Sequence, residues 1–183
     1  MEYKNEFDNN GLDISDGRRA EENFKRLFEN RFGVAPLKTE EDDDKYRHID
    51  FYMQVPTNEG NIHTASVDVK SWKQEPNDVW IEFVSYGRLG WLYGEANYIA
   101  FETPDEKSFI VVDRQELVKL VERVCVTNFT NNLKYALFRP LIRGKGKNSN
   151  KFDLVTKIPR ALLYSIKHWI LKDGKYEKRN TWN

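Results

Sequence analysis

Apolar residues first recur with helical spacing and then switch to strict alternation. Ala20, Phe24, Leu27, Phe28 and Phe32 form one stripe, which predicts a helix capped by Ser15 or Asp16 and stopped after Phe32 by Gly33. In His48-Ile49-Asp50-Phe51-Tyr52-Met53-Gln54-Val55 the odd positions are apolar, as they are in Thr64-Ala65-Ser66-Val67-Asp68-Val69-Lys70. Two-residue alternation predicts a strand in each, joined through the turn-forming run Pro56-Thr57-Asn58-Glu59-Gly60-Asn61. A third strand is expected at Val79-Trp80-Ile81-Glu82-Phe83-Val84, then an irregular segment or short helix over 86–95, and strands over 96–102 and 108–112. Asp113 is suited to cap a helix with Leu117, Val118, Leu120, Val121 and Val124 on its apolar side. Beyond it the pattern predicts a strand or extended segment over 135–142, a basic loop over 143–151, a strand over 152–158 and a final helix from Pro159 to about Leu171.

This order implies an α/β protein, a central mixed sheet of about five strands flanked by helices. The phase of the first two strands matters most. It turns Asp50 away from the apolar side of its strand, and Asp68 and Lys70 away from that of the next. Two carboxylates and an amine converging over a strand pair are the minimum for holding a divalent metal and positioning a water for phosphodiester hydrolysis.

With Asp50 and the Asp68-Val69-Lys70 triplet in this setting, the chain resembles the PD-(D/E)xK nucleases, the restriction-endonuclease-like superfamily. The resemblance covers roughly residues 15–115. His48-Ile49-Asp50, the acid-x-lysine triplet and Gly90-Trp91-Leu92-Tyr93-Gly94 together look like its small members from phages and bacteria. One departure is that Ile49 stands where the superfamily often has proline before the first acid. The resemblance implies a restriction-endonuclease-like core with the active site at one end of the sheet. It implies Asp50, Asp68 and the Val69 carbonyl as ligands of Mg2+, with Mn2+ able to substitute. Lys70 would be the catalytic lysine, and a glutamate of the first helix an outer or second-metal ligand.

Helical periodicity chooses between the two glutamates there. Glu21 shares the core-facing side with Phe24 and Phe28, whereas Glu22 falls with Lys25, Arg26 and Glu29 on the wet side. Glu21 serves equally well as a helix-flank acid near the positive end of the dipole. Glu82, facing away from Val79, Ile81 and Phe83, either reaches the metal from a neighbouring strand or makes a buried salt bridge. His48 either contacts a phosphate or a metal-bound water, or makes a structural hydrogen bond. The acids from Glu40 to Asp44 have no spacing that folds ligands inward and read as a solvated loop.

Composition refines the picture in places. The chain has 183 residues, read as one domain over 1–183 with a core over about 15–125 and a C-terminal extension over 126–183. Its 29 basic and 29 acidic residues balance, so net charge lends no support to nucleic-acid binding. Distribution helps more: Arg139, Arg143, Lys145, Lys147 and Lys151 lie in a stretch without an acid, which reads as phosphate contact or as an exposed loop. Trp72, Trp91 and Tyr93 serve base stacking or core packing. The single cysteine, Cys125, excludes an internal disulfide and a cysteine zinc cluster. Neither a membrane-length apolar run nor a signal peptide is legible, so a cytoplasmic protein is the expectation. The expected activity is a magnesium-dependent DNA endonuclease, structure-selective and acting on junction, recombination or repair intermediates. A homodimer would allow paired cuts. The alternative is a catalytically silent relative that binds nucleic acid or a protein partner.

Overall fold

The computed structural model describes residues 12–40, 46–56, 60–72, 76–143 and 152–174. Helix α1 spans Leu12–Phe32, starting a turn earlier than Ser15 or Asp16 would cap it, and ends at Gly33 with φ 73°. That left-handed conformation carries no Cβ penalty in glycine, and the Gly33 N–H donates back to the Glu29 carbonyl.

The central sheet has six strands rather than about five, in the order β1 (Leu37–Lys38), β2 (Phe51–Pro56), β3 (Ile62–Lys70), β6 (Tyr98–Glu102), β7 (Ser108–Asp113), β10 (His168–Lys172). The β3–β6 pair is parallel and its other pairs antiparallel, so the sheet is mixed. A second, four-stranded antiparallel sheet runs β5 (Arg88–Leu89), β4 (Asp78–Ser85), β9 (Asp153–Pro159), β8 (Leu141–Arg143). The third strand of the sequence reading is thus β4, and it does not lie beside the Asp68 strand. The neighbour of β3 is β6, reached through a long crossover, as parallel pairing requires.

Alternation decides what each face of the central sheet buries. Ala65, Val67 and Val69 of β3, Ala100 of β6, and Phe109 and Val111 of β7 meet Ala20, Phe24, Leu27 and Phe28 of α1. Phe24 anchors that layer, edge-on to Phe109 at 5.4 Å and stacked with Phe51 at 5.9 Å. The opposite face carries Ile99, Phe101, Ile110 and Val112. They pack on Leu117, Leu120 and Val121 of helix α2 (Arg114–Val124) and on Val79, Ile81 and Ile158 of the second sheet. Asp113 caps α2 as expected, accepting the Glu116 N–H.

The C-terminal part differs from the helical expectation. Pro159 leads into a short 3-10 helix, Arg160–Ser165, and the chain then runs back as β10 against β7. A short apolar run such as 166–171 fits either period, and the otherwise open edge of β7 selects the strand. The segment over 135–142 divides into a 3-10 turn, Leu133–Tyr135, and β8. No helix among the described residues is long and apolar enough to cross a membrane.

Candidate active site

The site begins with a slip in the β2–β3 ladder. The Asp50 N–H donates to the Val67 carbonyl at 2.9 Å, although Val67 is the register partner of Phe51. Asp50 Oδ2 then accepts the Val69 N–H at 2.6 Å, so a side chain stands where partner backbone would continue the ladder. The N–H and C=O of one strand residue point to the same edge, so the Val69 carbonyl is turned to the Asp50 side. The slip also moves Ile49. Expected with Phe51 and Met53, it packs instead with Trp91, Leu92 and Ile99 on the opposite face.

Asp68 and Lys70 share one face of β3, as their spacing predicts, with Lys70 Nζ 2.7 Å from Asp68 Oδ1. The other oxygen, Asp68 Oδ2, is buried and has no hydrogen-bond donor. Burial pushes the Asp68 carboxyl well above its ordinary value; Lys70 opposes that rise and the nearby Asp50 adds to it. The two aspartates lie close enough for Asp50 to add to the rise of Asp68. Burial alone would depress Lys70, but attraction from Asp68 and Asp50, with a smaller part from Glu82, holds its ammonium above the ordinary value. Lys70 is therefore charged, and its Nζ lies 5.3 Å above the Trp91 ring.

Glu82 reaches this group from the second sheet, not from a strand beside β3. The approach depends on Gly90: a Cβ there would lie 2.5 Å from the Glu82 carbonyl oxygen. Gly94 does the same for His48, whose Cβ would be 2.9 Å from an added one. His48 adopts φ 55°, and its Nε2 lies 3.3 Å from the Leu89 carbonyl oxygen. Burial and the Lys70 charge lower its pKa, so the imidazole is a neutral hydrogen-bonding group at pH 7. The glycines of the Gly90–Gly94 run therefore serve close backbone approach around the acids.

A cavity of about 220 Å3 opens beside Lys70, lined among others by His48, Trp80, Glu82, Trp91, Arg143 and Arg160. Neither Asp50 nor Asp68 lines it; Lys70 stands between the cavity and the acid pair. Arg143 lies 4.0 Å over the Trp80 ring and Lys157 4.7 Å from its centre. Arg160 ties the cavity wall together, donating to the carbonyls of Pro76, Asp78 and Glu102.

The remaining sequence candidates divide. Glu21 is brought to the site's edge, where it forms an ion pair with Lys38, and Lys38 in turn lies 3.9 Å from Asp50. Glu22 is exposed. Of the basic stretch, Arg143 faces the cavity and Arg139 is half-buried two residues before β8, while Lys145, Lys147 and Lys151 lie outside the described residues. The acids 41–44 lie outside them as well. The Trp72 N–H donates to buried Glu102, which also receives a double hydrogen bond from Arg19. The Tyr93 hydroxyl contacts Glu122 at 3.4 Å. Sequence reasoning missed Lys38, Trp80 and Lys157, because each owes its position to strand pairing rather than to a motif.

The residues present suit a divalent cation of modest ligand demand. The fit rests on the donor-less Asp68 Oδ2 beside a second carboxylate and a carbonyl turned the same way. Among the described residues, no group of three or more His, Cys, Asp or Glu side chains is arranged to hold a metal.

Fold and site together define an α/β protein whose mixed six-stranded sheet carries a buried acid pair and a charged lysine on one strand pair. No protein-family profile matches the chain, and neither does any curated protein or solved structure.

Proposed function

We propose that this chain is a divalent-cation-dependent DNA endonuclease of the PD-(D/E)xK kind, built on a restriction-endonuclease-like core. The observation that carries the reading is the Asp68 carboxylate, with Lys70 on one oxygen and no donor on the other, next to Asp50. A purely structural buried acid would have its second oxygen satisfied. Asp50, Asp68 and the Val69 carbonyl would hold Mg2+ or Mn2+. Such a cation would supply positive charge at the scissile phosphate and acidify an attacking water.

The chain's own residues account for the rest. Lys70 keeps its proton, so it stabilises charge growing on the phosphoryl oxygens and does not act as a base. Arg143 and Lys157, held against Trp80, offer ordered cations to the flanking backbone phosphates. The substrate proposed is a junction or branched DNA, and a homodimer would pair the cuts.

The test is cleavage of plasmid, linear, single-stranded and four-way-junction DNA with Mg2+, Mn2+ or EDTA. Metal-dependent nicking, strongest on the junction and lost in Asp68→Asn, supports the proposal. Cleavage that survives Asp68→Asn, or none on any substrate, sinks it. A second reading, a silent relative that binds nucleic acid or protein, draws on one fact: each acid already faces an ammonium group, Lys38 or Lys70. DNA binding without cleavage in any metal selects it.

A further inference from the structure

Lys38 occupies a position the proposed chemistry has not used. Strand β1 is only two residues long and its side chains are exposed, yet its backbone pairing sets where the Lys38 side chain starts. Lys38 is the register partner of Phe51, the residue after Asp50. The Thr39 N–H donates to the Asp50 carbonyl at 3.1 Å, and its hydroxyl bonds the carbonyls of Ile49 and Asp50. The backbone on either side of the Lys38 side chain is thereby clipped to the segment that carries the first acid. Its ammonium lies 4.9 Å over the Phe51 ring, is paired to Glu21 Oε2, and stands 3.9 Å from Asp50 Oδ1. Glu21 comes from α1 and Asp50 from the sheet edge, so Lys38 bridges two carboxylates from separate elements.

We propose that Lys38 is a built-in cation that fills the place between Glu21 and Asp50, so that the site takes one divalent ion, at Asp50 and Asp68, and not two. This rests on the metal-dependent reading above and deepens it by fixing the number of ions and removing Glu21 from the ligand set. Charge repulsion points the same way: a second divalent ion between Glu21 and Asp50 would lie against the Lys38 ammonium. The donor-less oxygen belongs to Asp68, whose ammonium partner is Lys70 and not Lys38.

The experiment counts Mn2+ bound to the full chain by electron paramagnetic resonance, without DNA, in the parent and in three variants. The parent and Lys38→Arg bind one ion per chain. Lys38→Met binds two, and adding Glu21→Gln to Lys38→Met returns the count to one. Circular dichroism melts show that each variant is folded. Two ions in the parent, or one ion in both the parent and Lys38→Met, overturns the inference while leaving the metal-dependent reading intact. No ion in either the parent or Lys38→Met overturns both. If Lys38→Met does not fold, Lys38→Gln takes its place with the same expected counts.

Discussion

Asp50 accepts the backbone N–H of Val69 at 2.6 Å, which ties the first acid to the strand that carries the second. The bond makes the distance between the acids a property of the sheet rather than of two flexible side chains. It also makes Asp50 a structural element as well as a proposed ligand, so its removal is a poor test of chemistry alone. The tests below therefore act on its neighbours.

Lys70→Ala removes the charge assigned to the transition state. Cleavage under saturating metal and DNA should fall by a factor on the order of 100 or more. DNA affinity, measured by fluorescence anisotropy in Ca2+, should change by less than about threefold, since one phosphate contact is a small part of a binding surface. Normal cleavage by this variant places the chemistry elsewhere.

Metal-free stability should carry the signature of the buried acid. The folded Asp68 carboxyl holds its proton above the ordinary value of 3.8, whereas the unfolded chain releases it there. Between those two values the folded state binds the extra proton, so stability falls as pH rises through that window. Urea unfolding in EDTA from about pH 4 upward should show this decline in the parent and a flatter profile in Asp68→Asn. Parallel profiles would remove burial as the controlling influence on Asp68.

Gly90→Ala tests the close approach that brings Glu82 to Lys70. The new Cβ would meet the Glu82 carbonyl oxygen at 2.5 Å and its Cγ at 2.8 Å, and the backbone atom cannot yield without moving β4. The expected cost is about 1–3 kcal/mol in urea unfolding. A change below about 0.5 kcal/mol, the usual size for an unconstrained surface site, would show that the loop has room.

The Trp80 cations test the proposed DNA track. Arg143→Gln with Lys157→Gln should weaken binding at every sequence and reduce the slope of log affinity against log salt by about 1.4 for a single strand or 1.8 for duplex. Saturated cleavage should remain. An unchanged slope means the DNA approaches from another face.

Among these features, the sequence by itself determined the local periods. The α1 stripe, the alternation through 64–70, the cap at Asp113 and the common face of Asp68 and Lys70 all depend on residues a few positions apart. Side-chain spacing along one helix or strand is fixed by backbone geometry, so it can be read without knowing what packs on it. The close approach of the Gly90 and Gly94 backbones was written in the sequence as a residue type, although not as a partner.

Tertiary structure decided everything that depends on which strands meet. It put β4 in a second sheet, so Glu82 reaches Lys70 across a gap and not along a ladder. It made 168–172 a strand, because the edge of β7 supplied hydrogen-bonding partners that a helix would have left open. It slipped the ladder at Asp50, which carried Ile49 to the other face. It also set Lys38 between Glu21 and Asp50, a position created by pairing residues from α1, β1 and the start of β2. Strand pairing joins residues far apart in the chain and depends on the energies of whole faces. No short window of sequence contains that information, and for this protein it is what assembles the charges around the acid pair.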